Sequence, residues 1–166
     1  MLCACKKYFS DQKNEILLVN LDNHQIDDTC DTQNFEVYCF CPITIKKGST
    51  IDEKGRKVDS INNDFFFVGG FDNDKKEGKI KLYKVIFPKS EKKKEYKIEY
   101  LQDIELYKVN ENKNKQKKYN KLIFEGPINS IIQIKNRPNE GEILATCYDG
   151  NVYRFSSPNL TFYTEN

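Results

Sequence analysis

Tryptophan is absent from this 166-residue chain, and histidine occurs once, at His24. General-base catalysis leans most often on a histidine held by a positioned partner. His24 stands between Asn23 and Gln25 in a polar turn, where it reads as a solvated loop residue. A phosphate-cradling Gly-x-x-x-x-Gly-Lys-Ser/Thr loop is missing too, which excludes that class of nucleotide site. Long apolar runs are missing as well. Phe65–Val68 is among the longest, far short of the roughly 20 residues that a membrane-spanning helix needs. The start, Met-Leu-Cys-Ala-Cys-Lys-Lys, lacks the apolar centre of a secretory signal. Nor is there a surplus of charge of one sign. With 27 basic and 25 acidic residues the net charge is +2, which excludes a polycationic, histone-like protein and leaves only local basic patches. These absences together lead to an expectation of no enzyme activity, no cofactor and no membrane association.

What is present is β-prone. Strands are expected at Ile16–Val19, Phe35–Ile43, Phe65–Gly70, Lys79–Phe87, Tyr96–Leu106, Ile128–Ile134, Ile143–Tyr148, Asn151–Phe155 and Leu160–Tyr163. Each is short, rich in β-branched or aromatic residues, and bounded by Gly, Pro, Asn or Asp. No window holds a sustained 3.6-residue apolar stripe, so helix is at most a minor component. Asp149-Gly150 between two apolar runs predicts a tight hairpin, because both residues tolerate positive φ. Glu77-Gly78 is expected to play the same part ahead of Lys79. Gly69, Gly70 and Gly78 read as strand ends that need positive φ. Lys46–Asn63, Lys89–Lys94 and the Asn/Lys-rich Val109–Asn120 read as loops.

A unit of four strands then recurs. The first copy is Phe35–Ile43, Phe65–Gly70, Lys79–Phe87 and Tyr96–Leu106; the second is Pro127–Ile134, Glu142–Tyr148, Asn151–Phe155 and Leu160–Tyr163. Four antiparallel strands in about 40 residues, insertions aside, is the arithmetic of a propeller blade. The fold class expected is therefore all-β, with about two four-stranded antiparallel blades of WD40-like type forming an incomplete propeller. Residues 1–34 would end a preceding blade. Residues 35–108 would form a blade with a long polar insertion, 109–120 a low-complexity loop, and 121–166 a second blade.

Three stretches carry a family resemblance. They are Ile16-Leu17-Leu18-Val19-Asn20-Leu21-Asp22 with Ile26-Asp27-Asp28; Phe65-Phe66-Phe67-Val68-Gly69-Gly70 followed by Gly78-Lys79-Ile80-Lys81-Leu82-Tyr83-Lys84-Val85; and Phe124-Glu125-Gly126-Pro127-Ile128-Asn129-Ser130-Ile131. They resemble the C-terminal propeller region shared by the cleavage and polyadenylation specificity factor large subunit, the large damaged-DNA-binding protein and the matching splicing factor 3b subunit. The resemblance implies a nuclear scaffold that holds protein partners in a multi-subunit complex for RNA processing or related nucleic-acid work. A generic WD-like interaction module unconnected with nucleic acid, nuclear or cytoplasmic, is the alternative.

Few residues point to chemistry. Cys3-x-Cys5 and Cys39-x-Cys41 place paired sulfurs on one strand face. Structural zinc sites use wider C-x₂₋₄-C spacing, so the thiols read as small apolar core groups and no metal is expected. Asp22, Asp27, Asp28 and Asp31 cluster ahead of Phe35. They read as a solvated polar connector with no buried carboxylate pair. Lysines in low-complexity segments ordinarily solvate the chain. If nucleic acid is contacted, the sequence offers Lys92, Lys93, Lys94, Lys117 and Lys118, with Tyr96 and Tyr119 close by to stack on bases.

Overall fold

A computed structural model describes residues 2–5, 14–51, 57–88, 96–111, 117–134 and 142–156. Among the described residues twelve strands run β1 (Leu2–Cys5), β2 (Asn14–Val19), β3 (Ile26–Gln33), β4 (Phe35–Ile51), β5 (Lys57–Asp72), β6 (Glu77–Ile86), β7 (Lys97–Asp103), β8 (Tyr107–Glu111), β9 (Lys117–Lys121), β10 (Ile128–Ile134), β11 (Glu142–Cys147) and β12 (Val152–Ser156). The fold is all-β, with no helix among the described residues. Every pairing between these strands is antiparallel and joins sequence neighbours. The result is a first sheet β1-β2-β3, a central sheet β4-β5-β6-β7, a ribbon β8-β9 and a third sheet β10-β11-β12.

The central sheet is apolar on both faces, which follows from its sequence. Successive strand residues point to opposite sides, and Phe65-Phe66-Phe67-Val68 is apolar at every position. Phe65 and Phe67 join Cys41, Ile43, Ile80 and Leu82 against Ile128, Ile131, Ile143 and Ala145 of the third sheet. Phe66 and Val68 join Phe35 and Tyr83 against Ile16 of the first sheet. Phe66 stacks on Tyr83 at 5.5 Å between ring centres. Three layers thus enclose two cores.

A β-bulge sets the faces of β4. Val37 pairs with Gly70 and Cys39 with Gly69, so Tyr38 is the extra residue. Before the bulge, Phe35 and Val37 face the first sheet. After it the parity flips, and Cys39, Cys41 and Ile43 face the third. The C-x-C pair is therefore core lining, as its spacing suggests. Tyr38 is left outside, 46% exposed, and meets Tyr148 edge-to-face at 6.3 Å.

Side chains from the neighbouring layers occupy both open edges of the central sheet. On β4, the Gln133 carboxamide accepts from Thr44 N at 2.8 Å and donates to Thr44 O at 3.1 Å. On β7, the Asp28 carboxylate accepts from Ile98 N at 2.6 Å. Thr44 N, Thr44 O and Ile98 N are thereby satisfied within the chain, which blunts each edge at that point.

Several sequence expectations change. Strand runs into the expected loop 46–63 from both ends, because Ile45-Lys46 and Gly48–Ile51 pair with residues 57–62 across a long hairpin. The expected loop 109–120 likewise contains the ends of β8 and β9. Asp27, Asp28 and Asp31 lie on β3, not in a connector, since partners on β2 override their low β propensity. Glu77-Gly78 opens β6, and the turn lies earlier, with Lys76 at φ 55°. Gly69, Gly70 and Gly78 do not adopt positive φ; among the described glycines Gly150 alone does, at 84°. It sits in the expected hairpin, where Cys147 N donates to Asn151 O. The expected strand Leu160–Tyr163 and loop Lys89–Lys94 lie outside the described residues.

Candidate functional site

The described lysines of the nucleic-acid expectation lie on one strand. Lys117 and Lys118 are on β9, opposite Glu111 and Asn110 of β8. Lys92, Lys93 and Lys94 lie outside the described residues. Tyr96 packs edge-to-face on Phe87 at 5.7 Å. His24 is exposed in the turn between β2 and β3, at φ 58°.

Among the described residues a dense set of charges surrounds Lys79, which the sequence did not flag. Strand alternation puts Ile80 and Leu82 into the core and leaves Lys79 and Lys81 on the other side. Lys79 Nζ lies 2.9 Å from Asp103, 3.1 Å from Asp72 and 3.8 Å from Glu77. Asp103 also accepts from the Tyr100 hydroxyl at 2.9 Å. Burial alone would push the Asp103 carboxyl up; hydrogen bonds from Lys79 and Tyr100 outweigh it and hold it below the usual range. Asp72 is likewise lowered, burial being overcome by the Lys75 amide and Lys79. Burial opposes the Lys79 charge, but its carboxylate partners raise its pKa. A lysine held cationic in this way is a poor nucleophile or base, so the cluster is an electrostatic tie between strands. Lys81, half-buried, lies 4.3 Å from the Phe35 ring centre and 5.6 Å from that of Tyr100. Burial lowers its pKa, with Asp103 opposing.

This tie makes a pH prediction. A carboxyl depressed in the fold stabilises it fully above its unfolded value, near 4, and that stabilisation is lost as pH falls through the folded value. Urea unfolding should show stability level around neutrality and declining below about pH 4. Asp103→Asn should be less stable at pH 7 and should shallow that acid decline. An Asp103→Asn curve parallel to wild type down to pH 2 would refute the assignment.

Beside the tie, Lys75, Glu77, Lys79, Asp103, Glu105 and Lys121 rim an open cleft of about 50 Å³ floored by Phe124. Small-molecule sites run to roughly 300–1,000 Å³, so this cleft has room for water. On its rim Glu105 accepts from Lys121 at 2.6 Å and from the Tyr107 hydroxyl at 2.7 Å.

Cys30, Cys39 and Cys147 are not activated nucleophiles. Burial pushes Cys39 up to about 11, and burial also raises Cys30 and Cys147. A thiolate is what attacks or binds metal, and these groups stay protonated at neutral pH. Cys147 Sγ instead donates to Gly126 O at 3.1 Å. Among the described residues, no group of three or more His, Cys, Asp or Glu side chains is placed to hold a metal.

Apolar side chains mark the outward side of the third sheet. Ile132 pairs with Leu144, Ile132 is 53% exposed, and Val152 of β12 is 64% exposed. Tyr148, 66% exposed, stands at the adjoining turn beside Tyr38. Which apolar side chains stay exposed here follows from which sheet face is covered. No family model matches the chain, and neither a curated protein nor a solved structure matches it.

Proposed function

We propose that the chain is a non-catalytic scaffold of β-propeller type, its stacked sheets serving as blades. Its outward surfaces would dock protein partners in a nuclear complex that handles nucleic acid, as the resemblance to the polyadenylation-factor and damaged-DNA-binding family implies. The observation that carries this reading is the central meander sheet, apolar on both faces and covered on each by another antiparallel sheet. Propellers stack four-stranded meanders face to face in this way. The exposed tyrosines and β-branched residues on the third sheet suit a docking surface, where such side chains supply contact area. The charged tie and the small cleft do structural work in this reading and act on no substrate.

Chemical crosslinking in the cells that make the protein, followed by mass spectrometry, tests the proposal. Crosslinks to RNA-processing, splicing or DNA-damage assemblies are the expected result. Crosslinks confined to cytoplasmic assemblies would favour a generic WD-like interaction module. The absence of any reproducible protein crosslink would sink both.

A further inference from the structure

The two ends of the three-sheet stack present outward faces of matching character. On the third sheet, Ile131, Ile143 and Ala145 are buried against the central sheet, so the residues alternating with them point away from it. Ile132, Leu144 and Arg154 form one row across that outward face, and Thr146 and Val152 form the next. On the first sheet, Ile16 is buried against the central sheet, which turns Glu15, Leu17 and Val19 outward. Asp31 lies opposite Glu15, Thr29 opposite Leu17 and Ile26 opposite Val19. Ile26 is 56% exposed. Neither β2 nor β3 contains a lysine or arginine, whereas Arg154 is the one cation in β10, β11 and β12.

We propose that a second copy of this chain covers both faces, joined head to tail, so that the third sheet of each copy packs on the first sheet of the other. The inference rests on the propeller reading above and names one partner for it. Propellers close with roughly four to eight blades. With three stacked sheets per copy, the β8–β9 ribbon aside, one copy falls short of that range, two make six and three overshoot at nine. Apolarity and charge match in the same arrangement. Leu17, Val19 and Ile26 meet Ile132, Leu144 and Val152, and Arg154, exposed beyond its own ion pair with Glu142, approaches Glu15 and Asp31. First sheet on first sheet would instead bring acids together with no strand cation between them. A pair built this way makes the same contact twice, so a head-to-tail interface closes on itself and does not propagate.

The test is sedimentation velocity of the purified whole chain between about 1 and 100 μM, where a monomer–dimer equilibrium is the expected result. Ile132→Asp alters the third sheet and Ile26→Asp the first. Each should raise the dimer dissociation constant at least about tenfold, because the pair contains every altered face twice. Arg154→Glu should weaken pairing in the same direction and Arg154→Lys should retain it. Ile123→Asp, exposed in the segment between β9 and β10, should change the constant less than about twofold. Circular dichroism checks each fold, and Ile132→Ser or Ile26→Ser replaces an aspartate variant that unfolds. Pairing lost with Ile132→Asp but kept with Ile26→Asp would mean third sheet on third sheet and overturn the head-to-tail closure. Species that keep growing with concentration would mean an open chain of copies and overturn it as well. A monomer throughout would overturn the second copy as partner and leave the scaffold reading to the crosslinks. A dimer with the expected variant pattern but no crosslink to any other protein would uphold the pairing and sink the scaffold reading.

Discussion

Gly78→Ala is expected to lower stability by about 3 kcal/mol, a large value for adding one methyl group. A Cβ on Gly78 would stand 2.1 Å from Gly126 O and 2.9 Å from Phe124 Cβ. The nearer atom is backbone, so no side-chain rotation relieves it. Gly78 N also donates to Phe124 O at 2.9 Å, the bridge between the central sheet and the segment leading into β10. Forcing the strands apart would strain that bond as well, at a cost of about 1 kcal/mol. Gly150→Ala makes the contrast. Nothing lies within 4 Å of its Cβ position, but φ is +84°, so the penalty is the local one of about 1–2 kcal/mol. Urea unfolding of both variants measures the two numbers, and a Gly78→Ala loss below that of Gly150→Ala would contradict the packing.

The second large effect comes from neighbouring phenylalanines that serve different cores. Phe66→Ala and Phe67→Ala should each cost ~3–5 kcal/mol, the range for deleting a buried aromatic ring. Both side chains are almost fully buried. Their local consequences should differ. Phe67 packs against Phe155 at 6.2 Å in the core shared with the third sheet, so its loss should expose β10–β12 amides to hydrogen exchange. Phe66 stacks on Tyr83 in the core shared with the first sheet, so its loss should release β2 and β3. Since whole domains hold only about 5–15 kcal/mol, either change removes a large share. Identical exchange patterns for the two variants would show one merged core.

The aromatic and β-branched runs at Phe35–Ile43, Phe65–Gly70, Lys79–Phe87 and Tyr96–Leu106 made the four strands of the central sheet legible, though not its cover on both faces. The hairpin at Asp149-Gly150 was legible because only a few residues tolerate its φ. β3 was not, because Ile26-Asp27-Asp28-Thr29-Cys30-Asp31 carries turn-forming composition, and its strand conformation comes from pairing with β2. The bulge at Tyr38 was hidden for a related reason: one inserted residue flips every later side chain, and no local composition marks it. Gly69, Gly70 and Gly78 were recognisable as special but not for the right cause. Their reason is close approach, as with the 2.0 Å between a Gly70 Cβ and Glu36 O, and proximity across strands has no sequence signal. The Lys79 tie was out of reach likewise, since Asp72 and Asp103 meet only once β5, β6 and β7 are side by side.

The two side-chain caps on the edges of the central sheet bear on the order of folding. Strands within each sheet are consecutive, so pairing them closes short loops and can proceed fast. The caps join residues 89 apart, Thr44 to Gln133, and 70 apart, Asp28 to Ile98, and closing those loops costs more chain entropy. Hairpins should therefore form early and sheet docking late, with the caps absent from the transition state. Gln133→Ala would then speed unfolding and leave the refolding rate nearly unchanged.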